Sequence, residues 1–260
     1  MLVYPQLPSG ALAQFPSRRR RRTRTLLNLA ADGTAIKMGD AGAGSIEWEL
    51  KYAGLSDAEL AALLQFFSAA SGSLQPFTFV DPTANLLAWS DDLNNAVWNC
   101  APLLELTGNG GGPAGGTDAW QIRNSGAAAQ ELSQTLTAPG AYVYCFSLYA
   151  RAASPATFTL VLDANRFPQS AGTSWQRFAC TGSGDSGGSS MTFGIELPAG
   201  AAIEIYGLQV EPQNSPSLYK RSTTGGCYEY ARLLDDTLTF TTTDVNRHSA
   251  TVHIFYANHL

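Results

Sequence analysis

The chain has 260 residues, 45% of them hydrophobic and 14% charged, with 25 glycines and 13 prolines. That length suits two domains of ordinary size, and a composition poor in charge and rich in turn formers argues for many short strands over long helices. Six of the 16 basic residues stand at Arg18–Arg22 and Arg24, so the remainder carries 10 basic against 21 acidic residues. A body near −11 on that count rules out nucleic-acid binding through a surface-wide field.

Cys100, Cys145, Cys180 and Cys227 are far apart and contain no Cys-x-x-Cys pair, which fits free thiols in a cytoplasmically assembled protein rather than zinc or redox chemistry. Met1 to Gly10 lacks the charged-then-apolar pattern of a signal peptide, and no stretch approaches the ~18 apolar residues that a membrane span requires.

Taken in chain order, the arginine run reads as part of a solvated basic arm, with residues 1–24 partly flexible, since blocks of like charge repel. Its alternative role is contact with phosphate, lipid or an acidic neighbour, and Arg18, Arg19, Arg20, Arg21, Arg22 and Arg24 are the candidates for subunit contact. Asp32-Gly33 between the apolar stretches Leu26–Leu29 and Ala35–Met38 predicts a hairpin. Ile46, Trp48, Leu50 and Tyr52 alternate with Glu47, Glu49 and Lys51, which predicts a half-buried strand over Ser45–Tyr52.

Ser56 and Glu59 have capping-box spacing, and Leu60, Leu63, Leu64 and Phe67 follow at helical intervals up to Gly72. These predict one helix over about 56–71 lying on a sheet. Gln75–Val80 reads as a strand stopped by Asp81-Pro82. Seven short apolar runs then follow, separated by Gly, Ser and Pro: Ala119–Arg123, Gln130–Leu136, Tyr142–Ala150, Thr157–Asp163, Gln176–Cys180, Met191–Glu196 and Ala202–Val210. Their spacing predicts a β-sandwich. Thr237–Thr243 and Ala250–Tyr256 return to the earlier style around a polar turn. The expected organisation is mainly β: a discontinuous barrel or sandwich domain at 1–85 and 220–260 with one flanking helix, and an inserted jelly-roll sandwich at 86–219. Insertions are tolerated at such exposed turns.

Two resemblances bear on function. Trp48–Glu59, Phe66-Phe67 and Phe77–Pro82 resemble phage minor tail and distal-tail-type proteins over roughly residues 20–85. That resemblance implies a ring at the tail tip or baseplate, assembled in the host cytoplasm with tail-tube, hub and tape-measure proteins, and no chemistry. Asn85–Leu93 with Trp98, Tyr144–Arg151, Trp175–Phe178, and Ile205–Glu211 with Pro216–Tyr219 resemble carbohydrate-binding-module jelly rolls, with Tyr206 where a tryptophan often stands. This second resemblance implies display toward host-surface glycans.

No catalytic residue is nominated. Gly184–Gly188 reproduces the sequence around a trypsin-like nucleophile, but all three histidines, His248, His253 and His259, follow Ser186, and no strand-turn-helix elbow surrounds it. On a strand the odd spacing of His248 and His253 sends them to opposite faces, so no metal site is predicted. Adjacent pairs such as Asp91-Asp92 and Asp235-Asp236 point apart, while glycoside hydrolysis needs two carboxyls across one bond; Glu131 with Glu204 is the long-range pair to test. The only cofactor to consider is a structural Ca²⁺, with Asp91, Asp118 and Glu211 as candidate donors. Gly108–Gly116 lacks the ending of a phosphate loop.

Trp89, Trp120, Tyr142 and Trp175 are the candidate sugar-stacking residues, with Trp98 and Phe146 assigned to the core. The leading expectation is a virion tail-tip component, homo-oligomeric in a ring, whose insert binds glycan. A virion-associated glycan-degrading enzyme and an architectural insert without ligand are the alternatives.

Overall fold

The computed structural model describes residues 2–7 and 14–257. The chain divides into two compact units, Met1–Phe79 with Tyr228–Leu260, and Val80–Cys227. In chain order the first unit supplies β1 (Gln14–Leu29), β2 (Ala35–Leu55), α1 (Asp57–Ala70) and β3 (Phe77–Val80). Ten strands follow: β4 (Asn99–Cys100), β5 (Leu104–Gly110), β6 (Ala119–Asn124), β7 (Gln130–Leu136), β8 (Tyr144–Arg151), β9 (Ala156–Leu162), β10 (Asn165–Ala171), β11 (Gln176–Gly182), β12 (Met191–Leu197) and β13 (Ala202–Glu211). The chain then runs through β14 (Cys227–Leu233), β15 (Phe240–Asp244) and β16 (Arg247–Ala257).

In the discontinuous unit the strands form one open sheet in the order β1-β2-β16-β14-β3, with β15 also paired to β16. No closed barrel forms among the described residues. The alternation in β2 works as its sequence predicts: Ile46, Trp48, Leu50 and Tyr52 are buried, and Glu47, Glu49 and Lys51 take the other face. Trp48 meets Phe79 and Tyr228 edge-on at 4.9 and 4.8 Å. Tyr4 joins the same core through Phe66 and Phe79, and its hydroxyl meets that of Tyr52 at 2.8 Å. Helix α1 has the expected capping box, Ser56 Oγ accepting from Glu59 N while the Glu59 carboxylate accepts from Ser56 N. It ends at Ser71 and Gly72, both left-handed at φ 51° and 62°.

The arginine run departs from the arm expectation. Arg18–Arg24 lies in β1, paired with β2, while residues 8–13 of the expected arm lie outside the described residues. Repulsion within the run is relieved across the ladder: Arg18 faces Glu49 at 3.8 Å, Arg22 faces Glu47 at 2.9 Å and Arg24 faces Asp40 at 3.0 Å. Each exposed pair is weak by itself, but together they let like charges share a strand. Beyond the Ser45–Ala257 pair β2 is paired, among the described residues, with β1 alone, and the two continue as a two-stranded ribbon. The ribbon turns at Asp32-Gly33, where Gly33 has φ 82° and Thr34 N donates to Asp32 Oδ1. It exposes Leu27 (59%), Leu29 (72%), Ile36 (48%) and Met38 (46%).

The second unit is an antiparallel sandwich of two five-stranded sheets, β10-β9-β12-β7-β4 and β11-β8-β13-β6-β5. The chain alternates between the sheets at most connections, as a jelly roll does. Phe158, Leu160 and Phe193 from one sheet and Phe146, Leu148 and Ile205 from the other are almost fully buried. Three of its strands go beyond the seven predicted. Glycines masked β5, whose Leu104 is buried in alternation with exposed Glu105. Pro168 masked β10, which is an edge strand where a missing N–H costs no ladder bond. The third, β4, is a two-residue strand.

Buried amides tie loops to strands. Asn85 donates to the carbonyls of Leu208 and Lys220 and accepts from Val210 N. Asn124 donates to Ala128 and Leu197 carbonyls. Gln209 donates to the fully buried Glu211 carboxylate at 2.7 Å.

Candidate functional site

The outer face of the β11-β8-β13-β6-β5 sheet concentrates polar and aromatic side chains. On β8, Phe146, Leu148 and Ala150 are buried toward the core, so strand alternation turns Ser147, Tyr149 and Arg151 outward. On β13, buried Ile203 and Ile205 turn Glu204 and Tyr206 to the same face. Cross-strand register arranges these groups in two rows. One runs Arg151, Glu204, Gln121, Thr107, with Trp175 beside Arg151 just before β11. The other runs Arg177, Tyr149, Tyr206. Four inter-strand gaps of ~4.8 Å make the first row ~19 Å long.

Within the rows the contacts are specific. Arg151 donates from Nε and Nη2 to Glu204 Oε2 at 3.1 and 2.7 Å, and its guanidinium lies 4.9 Å from the Trp175 ring centre. Arg177 lies 5.4 Å from the Tyr149 ring centre and donates to Ser147 Oγ at 3.0 Å. Tyr149 and Tyr206 are 6.0 Å apart, and Tyr206 meets Tyr219 edge-on at 5.2 Å. The strand bulges between Tyr206 and Gln209. There Gly207 has φ 68°, and a Cβ would stand 3.2 Å from the Tyr219 ring, so this turn of the face needs glycine.

One end of the face is acidic. Arg221 Nε sits 2.9 Å from Asp91 Oδ2, and its Nη2 is 3.9 Å from Asp118 Oδ2. The Tyr206 hydroxyl there is shifted upward, first by burial and then by the Asp118 carboxylate. Burial, with some relief from a hydrogen bond to Ser90, pushes Tyr219 up to about 12. Neither phenol ionises near neutrality, so both act as neutral hydrogen-bonding groups.

The four stacking candidates do not form one platform. Trp175 lies at the face. Trp120 pairs opposite Ile205, on the core side of the sheet; its Nε1 donates to the Asp91 carbonyl, and Gly108 packs against its ring. Trp89 is 38% exposed, with φ 47°. Tyr142 is buried and stacks on Tyr144 at 6.1 Å. Trp98 and Phe146 are in the core, as predicted. Tyr149 and Tyr206 are the aromatic residues that sequence reading passed over, although alternation against Leu148 and Ile205 was the signal that marks them.

The calcium candidates separate. Asp91 and Asp118 flank Arg221, whereas Glu211 accepts from Ser217 and Lys220. Among the described residues no group of three or more His, Cys, Asp or Glu is placed to hold a metal ion. Glu131 and Glu204 lie on different sheets: Glu131 pairs across from Glu196 and binds Arg166 at 3.2 Å. They do not flank a common cleft.

Ser186 has no histidine in its unit. The loop around it is a tight turn in which Gly188 N donates to Asp185 O, clamped on Gly140. The cysteines are free, Cys145 and Cys180 buried; burial pushes the Cys180 thiol up to about 12, which makes it inert.

In the discontinuous unit, His248 and His253 project to opposite faces of β16. Buried His248 contacts Asp57 at 2.6 Å and Thr242 at 2.9 Å, and His253 contacts Asp235 at 2.6 Å. His259 lies outside the described residues. Arg18, Arg19 and Arg20 border an open groove of about 630 Å³ with Glu47, Glu49 and His253. Arg19 differs from its neighbours: it covers Trp48 at 5.7 Å and donates to the Tyr228 hydroxyl at 2.6 Å. Arg21 is exposed and pairs in register with Ile46.

No protein-family model matches the chain, and no curated protein matches it. Solved structures do. The CBM22-1 xylan-binding domain of Paenibacillus barcinonensis Xyn10C is 17% identical at a TM-score of 0.41, over 53% of this chain and 97% of that domain. TmCBM61, in complex with β-1,4-galactotriose, is 13% identical at 0.37, over 50% and 99%. The enzymatically active domain of bacteriophage CBA120 tailspike protein 4 is 14% identical at 0.38 over 51% of this chain, and the chain spans 22% of that domain's length. The jelly-roll assignment rests on the strand order of the two sheets.

Proposed function

We propose that this protein is a non-enzymatic component of a phage tail tip that assembles as a homo-oligomeric ring and binds host-surface glycans through its sandwich unit. The observation that carries the glycan reading is the double row of Trp175, Arg151, Glu204 and Gln121 beside Arg177, Tyr149 and Tyr206. Such a row offers ring faces to sugar C–H groups and fixed donors and acceptors to hydroxyls, the mix of apolar surface and few polar groups that defines ligand sites. Weak single sites gain avidity when a ring presents several copies to one surface.

The tail reading draws on the resemblance of Trp48–Pro82 to tail proteins, and the ribbon of β1 and β2 suits it. A two-stranded ribbon with apolar side chains on exposed faces is a ready surface for a neighbouring subunit. Replacing Leu27, Leu29, Ile36 and Met38 by Ser is expected to convert an oligomer to monomers in light scattering. A wild-type protein that is monomeric at every concentration, alone and with its tail partners, would overturn the ring reading.

The glycan reading is tested by titrating the full chain with a panel of neutral and acidic oligosaccharides. Tyr149→Ala is expected to weaken binding at least tenfold, about 1.4 kcal/mol, while the sandwich remains folded by circular dichroism, because the half-buried ring lies on the outer face of the sheet and not in its core. Absence of binding across the panel would refute it. Release of reducing ends by the wild-type chain would instead favour an enzyme.

A further inference from the structure

Resting on the glycan reading, we infer that the sandwich face takes an acidic glycan, one that places a carboxylate or sulfate ester against Arg177 at the β11 edge. The two guanidiniums of the face differ in one respect. Arg151 is neutralised by Glu204 through two hydrogen bonds. Arg177 is half-buried and forms no ion pair with a carboxylate among the described residues. Its Nη2 reaches the Ser147 hydroxyl, a neutral partner, and its Nε is shielded from solvent without an acceptor. Arginine stays protonated in proteins, so this is a lasting positive charge held partly out of water without a counter-ion.

A second donor lacks an acceptor nearby. Trp175, two residues before Arg177, has its Nε1 buried and unbonded. Buried donors without partners cost roughly 1–3 kcal/mol each, and native structures rarely keep them without a reason. Two on neighbouring side chains mark this edge as the place where an acceptor-rich group is wanted. An oxyanion supplies both charge and lone pairs, and the planar guanidinium fork matches it.

The remaining charges of the face give the ligand a direction. Arg123 and Glu105 lie 3.8 Å apart at the β5 side, and neither Arg151 with Glu204 nor Lys220 with Glu211 adds net charge. Asp91 and Asp118 outnumber Arg221 at the opposite end. The face therefore runs from positive at Arg177, through neutral aromatic surface at Tyr149 and Tyr206, to negative at Asp91 and Asp118. An acidic residue of the glycan belongs at the first end and is repelled at the last.

The test is calorimetric titration of the full chain with polygalacturonate, its fully methyl-esterified form, a sulfated galactan and neutral xylan, at low and high salt. Polygalacturonate or the sulfated galactan is expected to bind at least tenfold more tightly than the neutral polymers and to weaken with salt. Whichever of the two binds identifies the source of the anion. Arg177→Gln should abolish that preference, and Arg177→Lys, which keeps the charge but loses the fork, should restore part of it. Equal affinity for acidic and neutral polymers, or acidic binding unchanged by Arg177→Gln, overturns the inference. Binding of neutral polymers alone, sensitive to Tyr149→Ala, overturns it while leaving the glycan reading intact. No binding of any polymer defeats both.

Discussion

Glu211→Ala is expected to destabilise the sandwich unit by about 3–5 kcal/mol, the cost of breaking a buried charge network by removing one partner. Glu211 is fully buried at the end of β13. Its carboxylate accepts from Gln209 Nε2 at 2.7 Å, Ser217 N at 2.8 Å, Ser217 Oγ at 2.5 Å and Lys220 Nζ at 3.0 Å. Alanine leaves these donors facing one another, with the Lys220 ammonium uncompensated. The segment they hold, 217–220, carries Tyr219 against Tyr206, so the loss reaches the candidate site. Scanning calorimetry of the full chain should show the sandwich transition lowered by roughly 10 °C. An unchanged transition would mean that Glu211 does not fasten this segment.

The same network sets a pH dependence. Burial alone raises the Glu211 carboxyl and is the largest single influence, but the Ser217 hydroxyl and N–H and the Lys220 ammonium together outweigh it and hold it below 4.5. With the folded-state value lowered, the unfolded chain binds more protons in the window below 4.5. Stability from this group is therefore complete above that window and lost as pH falls through the folded value. Glu211→Gln should flatten the acid limb of the sandwich transition while lowering it at neutral pH.

Gly140→Ala is the second large effect. A Cβ at Gly140 would stand 2.0 Å from the Asp185 carbonyl oxygen and 3.0 Å from its carbon. Neighbouring backbone cannot give way easily, because Gly140 N donates to Gly188 O and Gly184 N donates to Gly140 O. The expected cost is about 1–3 kcal/mol or more, as for other forced overpacking, read as a lowered sandwich transition. Ser186→Ala, in the same loop, should leave both stability and glycan binding unchanged. A loss of any hydrolytic activity in Ser186→Ala would instead restore the nucleophile reading that the loop geometry argues against.

The Gly184–Gly188 sequence carries one local signal and one that is not. Its missing histidine was visible in the chain order, but that it closes a turn on Gly140 depends on a contact 44 residues away in sequence. The capping box of Ser56 and Glu59 and the alternation of Ile46–Tyr52 were legible because both are short-range: one spans four residues, the other has a period of two. The Arg18–Arg24 run was not, since its partners Asp40, Glu47 and Glu49 lie 16 to 31 residues away across a hairpin. Strand β10 was hidden because Pro168 forbids a central strand but not an edge, and nothing local says which strand lies at an edge.

The candidate site divides along the same line. By itself the sequence determined a mainly β protein with one capped helix, free thiols and a short list of aromatic residues, because composition and periodicity act within a few residues. It could not select among those aromatics: Tyr142, Trp120 and Trp175 are alike in sequence, but Tyr142 is buried, Trp120 turns to the core side and Trp175 to the outer face. Only the tertiary structure decided that Tyr149 and Tyr206 stand side by side, that Arg177 is left without a carboxylate while Arg151 has Glu204, and that Asp118 meets Arg221. Those placements follow from sheet order and register, which are set by pairing between distant strands and by the bulge at Gly207, and no local pattern carries that information.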